Sequence, residues 1–409
     1  MTTSILFKAP RLFDGYASTV REQMYVATEH GKIVDVGSIA DLGASSAEQF
    51  NQVIDLAADT TLMPGLINMH THVSFSGEPS IFADQLAESD TVKMIRIVET
   101  LHAALAVGIT TVRDCGTWPH LALPARDAIE SGLLRGPRMV TSGAITTTGG
   151  HCWFCASEAD SEDEVRKAVR AHVKDGVDFI KLFATGGNTT PGSNSLVAQF
   201  SEEQMCAATQ EARKTGRRTA SHAHAIDGVR NSIRARVTTI EHCSFQSADG
   251  IGWDDAMVNE IIDAGIYVCP TIFRGYAKEL MSPGHVAQPN DELFLTRRKE
   301  RFRLTRQLAE KGVKLVSGND AGVSNCVITD YPGDLVETVK HCGMSAAAVL
   351  RSATSVAAEA LGRSELGVVA PGKAADLLVV HGNPLADISA VERPAMVVAR
   401  GNIQPYVGA

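Results

Sequence analysis

Apolar and polar positions alternate in short runs over residues 1 to about 60: SILFKAPRLF, QMYVATEHGKIVDVG and QVIDLAADTTLMPG. The runs are rich in Val and Ile and are separated by turns such as His30-Gly31-Lys32, a pattern that predicts β-strands. From about residue 65 to 363 the period changes. Strand-like segments (PGLINMHTH, TTVRDCG, RMVTSG, DFIKLFATGG, RTASHAH, TTIEHCS, YVCPT, KLVSGND) now alternate with stretches whose apolar residues recur at helical spacing. Examples are VKMIRIVETLHAALAVG, EDEVRKAVRAHVKDG and SEEQMCAATQEARKTG, most of which end at a glycine, as helix C-termini favour. Repeated strand–helix units imply a parallel sheet, and eight of them predict closure into a (β/α)8 TIM barrel. From about 365 to 409 the β style of the first residues returns in LGVVAPGKAADLLVVHGNP and MVVARGNI. The fold class expected is therefore α/β. Residues 1–60 and 365–409 form a composite β-sandwich domain, and residues 61–364 form the barrel inserted between them.

Composition narrows the class without choosing a function. A chain of 409 residues with 44% apolar and 21% charged residues can bury a large core. No apolar run reaches about 18 residues, so no membrane-spanning helix is expected. The opening MTTSILFKAPRLFDG reads as a first strand and turn, not as a signal peptide. A formal charge of -9 argues against a nucleic-acid surface and leaves a small-molecule substrate open. The eight cysteines are scattered singly apart from one pair, Cys152 and Cys155. Scattered cysteines in a chain of this kind suggest reduced thiols and a cytoplasmic setting. No second pair completes a structural zinc site, so Cys152 and Cys155 are read as loop packing, with a redox or extra-metal role as the other reading.

The candidate chemistry lies at strand ends. His70 and His72 stand at i and i+2 and so point to one side of the first barrel strand. Lys181 ends the fourth strand-like segment, His222 follows the fifth, His242 the sixth and Asp320 the eighth. Taken alone, each has an ordinary reading: a hydrogen-bonded histidine, a solvated lysine, a turn aspartate. In a barrel, reactive groups collect at the C-terminal ends of the strands, so all six are expected to face one cavity. Neutral imidazole and carboxylate are the donors a divalent metal takes.

MPGLINMHTH, ITTVRDCG, TGGH, FIKLFATGG, SHAHA, TIEHC, GNDAG and GVVAPGKAADLLVVHGNPL follow one another along nearly the whole chain. In this ordered set the sequence resembles the amidohydrolase superfamily of metal-dependent hydrolases, in the style of its imidazolonepropionase-like and Xaa-Pro-dipeptidase-like branch. The resemblance implies a centre of two divalent metal ions, usually zinc. His70, His72 and Asp320 would hold the more buried ion and His222 and His242 the more exposed one. Lys181, carboxylated by carbon dioxide, would bridge them, because a carbamate is a two-armed oxygen anion where an ammonium is no ligand at all. A shared hydroxide would attack an amide carbonyl, with Asp320 as base and then acid. His151 and His224 are implied as hydrogen-bond donors near the metals, although dipeptidase-like relatives often carry Tyr where this chain has His224.

The resemblance further implies amide C–N cleavage in a dipeptide or N-acyl amino acid, and a homo-oligomer. A lactam, carbamate, urea or imidazolone-like ring is the alternative substrate, and an inactive scaffold on the same fold is the remote one. Mononuclear deamination fits less well, because Lys181 would have no use in it. Arg113 is expected to pair with Asp114 or to orient the pocket floor. Arg274 and Tyr276 are loop residues able to meet a substrate carboxylate or aromatic group, and Gly186 and Gly187 permit a tight turn near the metals.

Overall fold

The computed structural model describes residues 4–43, 49–280, 285 and 291–405. Six parallel strands follow one another in chain order as spatial neighbours: Leu66–Thr71, Ile109–Asp114, Arg138–Thr146, Phe179–Phe183, Arg218–Ala225 and Thr239–Ser247. Tyr267–Cys269 adds the seventh. The eighth position is taken by residues 314–321, which form isolated bridges (Val268↔Leu315, Thr71↔Ala321) instead of a regular strand. Their backbone nevertheless bonds both neighbours. Val268 N–H donates to the Lys314 carbonyl (3.0 Å), Met69 N–H to that of Ser317 (2.9 Å), and His72 N–H to that of Ala321 (2.7 Å). The sheet therefore closes as the (β/α)8 pattern requires.

The helices form where the 3.6 period is written and stop where the caps say. Glu162–Asp175 opens on a capping box between Ser161 and Glu164 and ends at Gly176, which takes φ 96°. Its Val165 and Val169 bury against Ile145 and Ile180 of the strands. Glu202–Lys214 repeats the device with Ser201 and Gln204 and buries Met205, Ala208 and Ala212 in the same layer. Burying each aliphatic side chain is worth roughly 1.5–3 kcal/mol, which ties helix to sheet around the ring.

Both chain ends share the second sheet, in the order Asn402–Ile403, Pro394–Ala399, Leu377–His381, Thr60–Pro64, Ser4–Leu12, Arg21–Glu29, Lys32–Ser38. The joint is the antiparallel pair of Leu377–His381 with Thr60–Pro64. Leu377–His381 is apolar almost throughout because both its faces are covered. Leu377 and Val379 point into the small core with Ile5, Phe7, Val26 and Leu62, while Leu378 and Val380 pack on the barrel side with Leu66, Leu101 and Val112. The chain then passes through Gly65 into the first barrel strand. A Cβ there would come within 2.2 Å of Thr110 Oγ1, so only glycine lets the two sheets abut. Among the described residues no helix is long and apolar enough to cross a membrane.

Candidate metal centre

One cavity of about 290 Å³ opens among the strand ends, and His70, His72, His151, His222, His224, His242 and Asp320 all line it. Lys181 lies against this group with its side chain fully buried. It sits in the middle of Phe179–Phe183 rather than at its end, and His222 and His242 likewise lie inside strands that run on past them. The imidazole rings are crowded: His222 and His242 have centroids 4.5 Å apart, His224 and His242 4.5 Å, and His151 and His222 4.7 Å.

Hydrogen bonds on the outer nitrogens decide which lone pair each ring offers. His70 Nδ1 is 2.8 Å from the Glu241 carboxylate, which can only accept, so Nδ1 carries the proton and Nε2 is bare. His222 Nε2 donates to the Gly186 carbonyl at 3.1 Å, leaving Nδ1 bare. His242 Nδ1 is 2.8 Å from Thr271 Oγ1. That hydroxyl already gives its proton to the Pro270 carbonyl and accepts from Arg301, so His242 donates to it and keeps Nε2 free. Asp320 Oδ1 stands 3.2 Å from both His70 Nε2 and His72 Nε2.

Buried polar atoms are almost always hydrogen-bonded. Here Asp320 Oδ1, His72 Nδ1, His151 Nδ1 and Lys181 Nζ are buried without a hydrogen bond among the described residues, and they cluster at this one place. The ligand-type atoms of His70, His242 and Asp320 lie within 4.8 Å of one another, as do those of His222, His224 and His242. His242 belongs to both groups. Imidazole with carboxylate is a donor set for zinc and its first-row neighbours, so the residues present fit divalent metal ions.

Electrostatics keeps the donors in their binding forms. Burial pushes His70 down to about 4 and His224 to about 3, and depresses His222 and His242 strongly, so these rings are neutral at ordinary pH. Burial alone would raise the Asp320 carboxyl, but His70, His72 and the Lys181 charge outweigh it and hold the group well below the usual carboxylate range. The backbone is bent to suit. His242 (φ 66°), Thr271 (φ 51°) and Asp320 (φ 63°) all occupy the left-handed region, which non-glycine residues visit rarely and mostly at functional sites. Gly187 is needed for a reason other than a turn. A Cβ on it would meet His151 Nε2 at 2.4 Å, so the glycine makes room for that ring.

Three loop or strand residues find other partners than expected. Arg113 does not pair with Asp114, which instead accepts from Val73 N–H and Thr117. Its guanidinium donates to Glu241 (2.6 Å), to the Met69 carbonyl (2.6 Å) and to Thr239 (2.9 Å). Arg274 turns away from the cavity to Glu392 and Asp330, and the Tyr276 hydroxyl donates to Asp291.

Glu241 and Arg301 had no sequence signal of their own. Glu241, fully buried, is the carboxylate that joins Arg113 to His70. Only the step of one residue from His242, which aims it away from its neighbour's side of the strand, hinted at it. Glu241→Gln should lower metal affinity by about 10–100-fold, as loss of a ligand's outer partner does. It should also destabilise the metal-free protein by roughly 3–5 kcal/mol, because Arg113 is left buried without its counter-charge. Metal titration alongside thermal melting checks both, and unchanged affinity would make the Arg113–Glu241 pair purely structural.

Comparison with known proteins agrees with this architecture. The Amidohydrolase family matches residues 61–403. The fold is similar to that of a Xaa-Pro dipeptidase with methionine bound in its active site, with a TM-score of 0.85 and 30% identity over 98% of this chain and 100% of that one. A prolidase complexed with N-methylphosphonate-L-proline gives a TM-score of 0.84 at 28% identity, covering 98% and 99% of the two chains. The ochratoxinase of Aspergillus niger is 27% identical over 374 residues, 82% of this chain and 73% of its own. A barrel with this crowd of histidines around one cavity, matched by one family over most of its length, places the chain in the amidohydrolase family, as a hydrolase acting on carbon–nitrogen bonds.

Proposed function

We propose that this protein is a binuclear metal-dependent amidohydrolase that cleaves the amide bond of a dipeptide or N-acyl amino acid. Its catalytic unit is taken as residues 61–364, set into a β unit of residues 1–60 and 365–409. The observation that carries the reading is the cluster of unbonded buried donor atoms on His72, Lys181 and Asp320 beside His70, His222 and His242. His70, His72 and Asp320 would hold one ion, His222 and His242 the other, and carboxylated Lys181 both. Divalent ions of the zinc type supply Lewis acidity toward a carbonyl and a water of lowered pKa.

The chain's own groups do the rest. Asp320 takes the proton of the attacking water at its carboxylate and returns it to the leaving nitrogen. His151 and His224 are placed at the cavity wall to hydrogen-bond the carbonyl oxygen as charge grows on it. The walls are partly aromatic, from Phe75, Phe183 and Phe273.

Arg301 points to an anionic substrate. It reaches the cavity from the helix Asp291–Lys311, and burial pulls its pKa down. Among the described residues it donates only to Thr271, and no carboxylate lies within ion-pair distance. An uncompensated guanidinium in a cavity is suited to a substrate carboxylate. Arg301→Met should lower kcat/KM for a free dipeptide by about 10–100-fold, the worth of a charge-assisted hydrogen bond. The same substrate capped as its carboxamide should lose much less. Equal losses on both would remove Arg301 from substrate recognition.

The direct test is metal analysis together with a hydrolysis screen of dipeptides and N-acyl amino acids on one purified sample. Two ions per chain with release of a free amino acid support the reading. Two ions with no release move the substrate to lactams, carbamates or ureas, and a single ion overturns the role of Lys181. The same reading places the protein in the cytoplasm, as a homo-oligomer working on a small molecule rather than a nucleic acid.

A further inference from the structure

We propose that Cys152 and Cys155 form a reversible oxidation site in the wall of the metal cavity, and that closing it to a disulfide lowers turnover. The Cys-x-x-Cys pair takes no part in the proposed hydrolysis, yet it stands beside it. Cys152 lines the cavity with His72 and His151. Cys155 lies behind it. A Cβ built on Gly116 would fall 2.7 Å from His72 Nδ1 and 3.6 Å from Cys155 Sγ, so this thiol, that glycine and the His72 ring are mutually packed.

The geometry between the two cysteines suits a bond. Cys155 N–H donates to the Cys152 carbonyl at 2.9 Å, closing a tight turn. Such a turn holds its first and last Cα within about 7 Å. Disulfides need roughly 4.4–6.8 Å. The Cys155 thiol already folds back, 3.4 Å from the Cys152 carbonyl oxygen.

Cys152 is also held in an unusual backbone state, φ 57°, which a non-glycine residue keeps only when its surroundings impose it. The surroundings are visible: Cys152 N–H donates to Thr190 Oγ1 (2.8 Å) and His151 N–H to Gln199 Oε1 (2.6 Å).

A peroxide is the class of oxidant small enough to enter with the substrate. One thiol sulfur attacks a peroxide oxygen, the O–O bond breaks, and a sulfenic acid and one water form. The second thiol sulfur then attacks the sulfenic sulfur, the S–O bond breaks, and the S–S bond and a second water form. The two thiol protons leave in the two waters. A dithiol reductant reverses the change by taking up the disulfide in exchange. The new bond draws the Cys152 side chain back from the cavity and resets the turn next to His151, whose ring faces His222 at 4.7 Å.

The test uses the full chain with its metals and diamide, which accepts the same two electrons and two protons at its N=N bond without leaving a sulfenic acid. Peptide mapping should find a Cys152–Cys155 cross-link. kcat/KM should fall at least roughly tenfold, as ångström-scale misplacement of a site residue does, and recover with dithiothreitol. Cys155→Ser should form no cross-link and keep its activity in diamide. Two free, alkylatable thiols after treatment overturn the proposal, as does a cross-link that leaves the rate unchanged. Mapping is independent of substrate, so it decides the thiol chemistry even if the proposed hydrolysis is wrong.

Discussion

Asp320→Asn is expected to abolish turnover in a protein that still folds. The carboxylate sits where a base is needed, with Oδ1 3.2 Å from His70 Nε2 and His72 Nε2, and its neighbours keep it ionised. A carboxamide cannot take the proton, and loss of general base and acid together costs about 10²–10⁴ in rate. Weaker holding of the neighbouring ion adds to that loss. The fold should survive for a backbone reason. Residue 320 is in the left-handed region at φ 63°, and its N–H donates to the His70 carbonyl at 3.0 Å. Asn is among the few residues that take this conformation readily, so the barrel closure at this point is kept. Ala would confuse strain with chemistry. The measurement is kcat with metal content on the same preparation. A variant that retains its metals and near-normal kcat would remove Asp320 from proton transfer.

Lys181→Ala is expected to lose metal, and short carboxylic acids such as acetate or propionate are expected to restore part of both metal and activity. Lys181 Nζ is buried without a hydrogen-bond partner among the described residues, close to His70, His222, His224 and His242, which burial keeps neutral. An unpaired ammonium in such a place costs several kcal/mol, and beside two dications it would be worse. As a carbamate the same side chain is an anion with two oxygens, and the contradiction disappears. Alanine leaves a hole that a small acid can enter. Removing the charge without the hole, as Lys181→Met, should for the same reason raise the melting temperature of the metal-free protein while still losing metal. Full metal occupancy in Lys181→Ala without added acid would count against the bridging carbamate.

What could be read from the chain is what depends on neighbours in sequence. The change of period near residues 65 and 365 separates the two sheets because strand and helix periodicity are local properties. The order of His70, His72, Lys181, His222, His242 and Asp320 could be placed at one end of a barrel because parallel strands all run the same way. Even the unused motif at Cys152 and Cys155 was visible as spacing. The strand ends themselves were less legible. Lys181 was read as closing its strand and lies in its middle, since where a strand stops depends on how far its neighbour continues to offer hydrogen bonds.

Tertiary structure alone chose the partners. His70 meets Glu241 from 171 residues away, and Arg113 meets the same carboxylate from 128 residues away, passing over the Asp114 beside it. Adjacent residues on a strand point to opposite faces, so the nearest charge in sequence is the one Arg113 cannot reach. Arg301 could not be told from Arg297, Arg298, Arg303 and Arg306 on the same helix, all alike in composition. Arg274, the better candidate by position, was claimed by Glu392 from the far end of the chain. The sequence by itself determined the layers of the fold and which histidines approach the cavity with Asp320, because periodicity and chain order suffice for that. The structure decided which atoms are bonded and which are left bare, because that depends on how the closed sheet curves and on contacts that no local pattern encodes.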